Sequence, residues 1–153
     1  MKSKSVYILA IIFLSAMLLA MPCNQKIPDG VKEMQVYACE TPLLGEGDGV
    51  DNMTNFNIYH YYDKVVGIKD FKLDNTLGVA YIYAKEKMSI DTLTDKLSID
   101  VIYTQDLEDG ITYYGKSRAG NSSVYIDGQE INVQIVSNKD NIIVGFPLIM
   151  GSY

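Results

Sequence analysis

His60 is the single histidine in 153 residues. An imidazole becomes a general base or nucleophile activator when a carboxylate orients it and a hydroxyl or thiol lies beyond it. No GxSxG elbow and no local Cys–His signature accompanies it. The alternation around it places His60 on one strand face with Phe56, Ile58 and Tyr62, which is the setting of a partly buried structural histidine. Zinc is equally poorly served, because it takes three or four His or Cys ligands and this chain has one His and two Cys.

Two other stretches match chemical motifs. Gly110-Ile111-Thr112-Tyr113-Tyr114-Gly115-Lys116-Ser117 fits the phosphate-loop pattern GxxxxGK[ST]. That loop requires a strand before it and a helix starting at its Lys-Ser end. Here Ile-Thr-Tyr-Tyr itself reads as a strand and the residues from Arg118 to Ser123 as a loop, so the match carries no nucleotide site. Gly47-Asp48-Gly49-Val50-Asp51-Asn52-Met53 fits one calcium-binding β-roll turn, a fold that needs tandem copies to share each ion. One weak calcium site, built from Glu46, Asp48 and Asp51, is the most this acidic loop offers. No other cofactor is implied.

Paired carboxylates for glycoside hydrolysis are set by space, so nineteen acids make many pairs and specify none. The twelve tyrosines point instead to half-buried sheet. If Tyr59 and Tyr61 turn outward, they form a patch of rigid amphipathic rings suited to a protein or glycan partner at the cell surface. Asn52-Met53-Thr54 and Asn121-Ser122-Ser123 also fit the short N-glycan acceptor pattern.

The N-terminus decides where such surfaces are displayed. Lys2 and Lys4 precede an apolar run from Val6 to Met21, the n-region and h-region of a secretory signal, with cleavage expected after Ala20. As a helix, those sixteen residues would span about 24 Å, less than a bilayer core of about 30 Å. Retention as an anchor and lipid attachment at Cys23 are the alternatives, the latter disfavoured by Pro22. Cys23 and Cys39 suit a disulfide in an oxidising compartment. It would close a loop of about 16 residues and contribute about 3 kcal/mol.

Removing residues 1–20 takes two of 13 basic residues and no acidic one, leaving 11 against 19 and a net charge of −8. The remaining Lys and Arg are scattered, so nucleic-acid binding is excluded. Membrane contact is left to the N-terminal segment alone.

The elements that must position these residues are mainly strands. Alternation marks Val31 to Cys39, Asn55 to Tyr62, Leu77 to Ala84, Ile99 to Thr104 and Ile111 to Lys116, with shorter pieces at Val65 to Ile68 and Phe71 to Leu73. Residues 41–52, with glycine at 45, 47 and 49, read as a surface loop. Ser89 caps a short helix whose Ile90, Leu93 and Leu97 share a face, with Met88 available as a staple. Asp127-Gly128 between two alternating runs, Ser123 to Ile126 and Gln129 to Ile135, predicts a two-residue hairpin. The final run, Ile142 to Met150, contains Pro147 and is therefore expected at an edge or bulge.

The expected fold is α+β, a mainly antiparallel sheet with one short helix, or alternatively an all-β sandwich or barrel. Residues 21–153 form one exported domain. The function expected is a small exported or cell-envelope protein acting as a non-catalytic binding or structural module. A small secreted hydrolase and a membrane-tethered accessory subunit are the rival readings.

Overall fold

The computed structural model describes residues 24–62, 65, 68, 70–72 and 74–151; the expected signal segment and Cys23 lie outside them, as does part of the Val65 to Ile68 stretch. The architecture is α+β: among the described residues it is mainly antiparallel sheet with one short helix. The strands among the described residues are β1 (Asn24–Lys26), β2 (Glu33–Ala38), β3 (Gly49–Asn52), β4 (Asn57–Tyr61), β5 (Asp70–Lys72), β6 (Thr76–Ala84), β7 (Ile99–Leu107), β8 (Gly110–Ser117), β9 (Val124–Ile126), β10 (Gln129–Ile131), β11 (Val133–Ser137) and β12 (Asn141–Phe146). The helix, α1, is Ile90–Lys96. Eight strands form one antiparallel sheet in the order β3-β4-β2-β6-β12-β11-β8-β7, while β1 with β5 and β9 with β10 make two small ribbons. Because β3 and β7 do not pair with each other, the sheet is open and has two edges.

The centre of the sheet is apolar on both faces. β6 reads Thr-Leu-Gly-Val-Ala-Tyr-Ile-Tyr-Ala and is buried at every residue but the last. Its β-branched and aromatic side chains fit a pleat that no longer alternates in polarity, because neither face meets water. On one face Met34, Val36, Tyr59, Tyr61, Val79, Tyr81, Tyr83, Ile135, Ile142 and Val144 form the main core together with Leu93 of the helix. Tyr37, Ile58, Leu77, Ala80, Ile82 and Ile143 form a smaller cluster, with Phe56, Ile149 and Met150 against it.

The C-terminal tail covers that second face. Gly145 leaves room for it, since a β-carbon there would lie 2.7 Å from Ile149. Gln134, beside Gly145 on the next strand, turns its buried amide oxygen to the Ile149 N–H at 2.9 Å. The expected strand from Ile142 to Met150 is corrected here. β12 is a central strand that stops at Phe146, because Pro147 has no N–H for the ladder, and the chain then crosses the face it has just helped to build.

The helix forms as its sequence predicts. Ser89 Oγ accepts from Thr92 N at 3.1 Å, Asp91 sits in the first turn and Lys96 in the last. Seven residues are too few to be stable alone, and burial of Leu93 supplies about 2 kcal/mol of what holds them to the sheet. The Asp127-Gly128 hairpin also forms, with φ of +49° and +78° at its two turn residues.

One expected continuity is broken. The second hairpin strand ends at Ile131, and β11 begins in a different sheet at Val133. Asn132 makes the switch: its side chain accepts from Ser117 N at 2.7 Å and donates to Ser117 O at 2.9 Å, while its own N–H goes to Gly115 O.

Candidate functional site

The polar side chains that converge most closely lie on the second face, at the β3 side of the sheet. β2 and β4 pair so that Gln35 is opposite His60 and Tyr37 opposite Ile58. β4 and β3 pair so that Gly49 is opposite His60 and Asp51 opposite Ile58. The imidazole therefore stands with glycine on one side and glutamine on the other, and reaches diagonally to a carboxylate on each neighbour. Nδ1 lies 2.9 Å from Glu33 Oε1, and Nε2 lies 2.8 Å from Asp51 Oδ2.

Two carboxylate acceptors on two ring nitrogens are both satisfied only by the imidazolium, since a neutral ring carries a single N–H. Burial of the ring opposes its charge, but the hydrogen bonds to Glu33 and Asp51, together with the two negative charges, outweigh that effect. The His60 pKa is raised above its ordinary value of 6.5. The His60 side chain is 19% exposed and that of Asp51 67%, so the cluster opens to water on the edge side.

The polar chain continues inward along β2. Gln35 Nε2 donates to Glu33 Oε1 at 3.3 Å, and Tyr37 OH donates to Gln35 Oε1 at 3.1 Å. Residues 33, 35 and 37 share one face because a strand repeats every two residues. Tyr37 is fully buried, edge-on to Phe56, and burial raises its pKa. A continuous series of hydrogen bonds thus runs from a buried phenol to an exposed carboxylate.

The glycine loop closes over β4, and its reading as a plain surface loop from 41 to 52 is corrected. Gly49–Asn52 is strand β3, and the preceding turn is held down by side chains. Tyr61 OH donates to Gly45 O at 2.6 Å, Asp48 N to His60 O at 2.8 Å, and Tyr62 N to Asp48 Oδ2 at 2.9 Å. Gly47 has φ +70°, and a β-carbon there would lie 2.4 Å from His60 O and 3.0 Å from the Tyr61 ring. Only glycine combines that backbone with that approach.

The sequence-derived sites fare differently. Tyr59 and Tyr61 do not form an outward patch: they are 3% and 1% exposed and belong to the main core. The alternation is as read, but the face carrying the tyrosines is the better buried one, and Tyr61 turns its hydroxyl to the loop. Burial pushes the Tyr61 phenol up to about 12.

Glu46, Asp48 and Asp51 do not converge on a calcium site. Asp48 receives the Tyr62 N–H and Asp51 the His60 ring, and among the described residues no group of three or more His, Cys, Asp or Glu side chains is disposed to hold a metal ion.

Cys39 carries a free, exposed thiol with Sγ 3.5 Å from Asn55 O; its expected disulfide partner Cys23 lies outside the described residues. The GxxxxGKS match lies wholly in strand β8, where Lys116 Nζ binds Glu130 at 2.6 Å.

Glu33 carries no motif and was not legible as part of the site. It joins His60 through the β2–β4 pairing across 27 residues of sequence, a separation that local spacing does not report. Comparison of the chain with protein-family models, with curated proteins and with solved structures finds no match to any of them.

Proposed function

We propose that this protein is a small exported module of the cell envelope that binds or scaffolds and does no chemistry. The observation that carries the reading is the state of its one histidine: both ring nitrogens are engaged by carboxylates, on strands to either side. A general base needs one nitrogen free to face a hydroxyl, thiol or water and one carboxylate to orient the other. His60 has a carboxylate at each position and works as a strut that ties edge strand β3, through β4, to β2. Export is supported by the residues from Lys2 to Met21, and the acidic net charge disfavours nucleic acid as the partner.

Two assays test this. Intact mass of the native protein from fractionated cells, before and after reduction, is expected to show a soluble species beginning near Met21. A full-length membrane species, or a lipid mass at Cys23, would instead favour the tethered reading. A hydrolase panel on the purified protein is expected to show no turnover that disappears in His60→Gln. Turnover that does disappear, with the fold intact by circular dichroism, would replace the module with the hydrolase.

A further inference from the structure

The far side of the sheet ends in a long strand. β7 is the last of the eight, pairs only with β8, and has no further backbone partner along its outer side among the described residues. A row of unpaired N–H and C=O groups is a template for another strand. Asp100, Val101, Ile102, Thr104, Gln105 and Asp106 are exposed, on both faces of the strand.

The strand is divided by a bulge. Val101 lies opposite Gly115 and Tyr103 opposite Tyr114, which leaves Ile102 without an opposite number. Beyond it five consecutive pairs run from Tyr103–Tyr114 to Leu107–Gly110. The stacked rings of Tyr103 and Tyr114, 4.6 Å apart, stiffen that stretch at its start. At its end lies a cleft lined by Leu107, Glu108, Asp109, Gly110, Val136 and Asn138.

Charge selects the partner. From Leu97 to Gly115 there is no Lys or Arg, but there are Asp100, Asp106, Glu108 and Asp109. A second copy paired antiparallel about Tyr103 would set Asp100 against Asp106, and like charges directly opposite are destabilising. The bulge further shortens the stretch that could propagate into an aggregate. A basic strand avoids the first obstacle, and Glu108 and Asp109, which line the cleft at the end of β7, offer two carboxylates to its cations.

We propose that Tyr103–Leu107 and the adjoining cleft are a docking edge that takes an extended, lysine- or arginine-bearing segment of a partner protein as a ninth strand. This rests on the binding-module reading and names the class of partner. The test uses the full-length protein and a fluorescent nine-residue peptide, capped at both ends, alternating threonine with lysine. Two control peptides carry glutamate for lysine, or N-methyl groups on every amide. Anisotropy is expected to show saturable binding of the lysine peptide, weakened at least tenfold by either control change and at least threefold by Asp106→Lys with Glu108→Lys. Amide shifts in the NMR spectrum are expected at residues 103–107.

No binding at millimolar peptide overturns the proposal. Equal binding of the N-methylated peptide reduces it to charge attraction and overturns it too. A concentration-dependent dimer with shifts on β7 assigns the edge to a second copy instead. Hydrolytic turnover lost in His60→Gln would defeat the module reading while leaving these binding results in place.

Discussion

The two edges of the sheet solve the same problem in opposite ways. β3 has four residues, and the turn before it is gripped by Tyr61, by the His60 backbone and by the Tyr62–Asp48 contact, with Asp51 itself fastened to the His60 ring. β7 has nine residues, is exposed on both faces, and is protected only by a bulge and by acidic side chains. A closed edge needs residues that are specific in place, such as the glycine that lets the loop approach. An open edge needs only residues that discourage the wrong neighbour. Substitutions at the β3 end should therefore cost stability, and substitutions on β7 should not.

The largest effect is expected at Gly47. Alanine there meets both a positive φ and the His60 carbonyl, and should cost about 2–3 kcal/mol in denaturant unfolding. Gly128→Ala is the control, with φ +78° but open space around it, and should cost about 1 kcal/mol. Equal costs would mean that the loop yields and does not clamp.

His60→Gln comes next, at about 1–2 kcal/mol below pH 6, a range that allows for partial exposure of the pair. The sign in pH follows from the raised pKa. The folded state binds the imidazole proton more tightly than the unfolded state does. The stabilisation is thus complete below about pH 6.5 and is lost as pH rises through the folded-state value. The gap between wild type and His60→Gln should narrow over that window; a gap that widens with pH would reverse the assignment.

Tyr61→Phe removes one hydrogen bond to Gly45 O and should cost about 1 kcal/mol, with faster hydrogen exchange at the Asp48 amide. On the other edge, Thr104→Ala and Gln105→Ala should each stay within about 0.5 kcal/mol of wild type. A larger loss there would show that β7 already has a neighbour in the folded chain.

What the sequence revealed follows the reach of its signals. Local rules placed the helix through Ser89 and Leu93, the hairpin through Asp127-Gly128, and the strands through two-residue alternation. Alternation says which residues share a face but not which face is inward, so an outward patch of Tyr59 and Tyr61 stays open in the sequence, and it is the main core that takes them. Three alternating glycines read as a breaker, yet at Gly47 glycine is required because the His60 backbone and the Tyr61 ring come so close. His60 was legible as partly buried. Its partners were not, because Glu33 lies 27 residues away and Asp51 faces the ring only once β3 is known to be a strand.

Because the chain has one histidine, its state can be read without ambiguity. The most direct measurement is an NMR titration of the His60 ring proton in the untagged protein, in wild type and in Glu33→Gln and Asp51→Asn. A clamp held by two carboxylates predicts a midpoint above 6.5 that each substitution lowers. A midpoint at or below 6.5, unmoved by either change, would contradict the account of the closed edge.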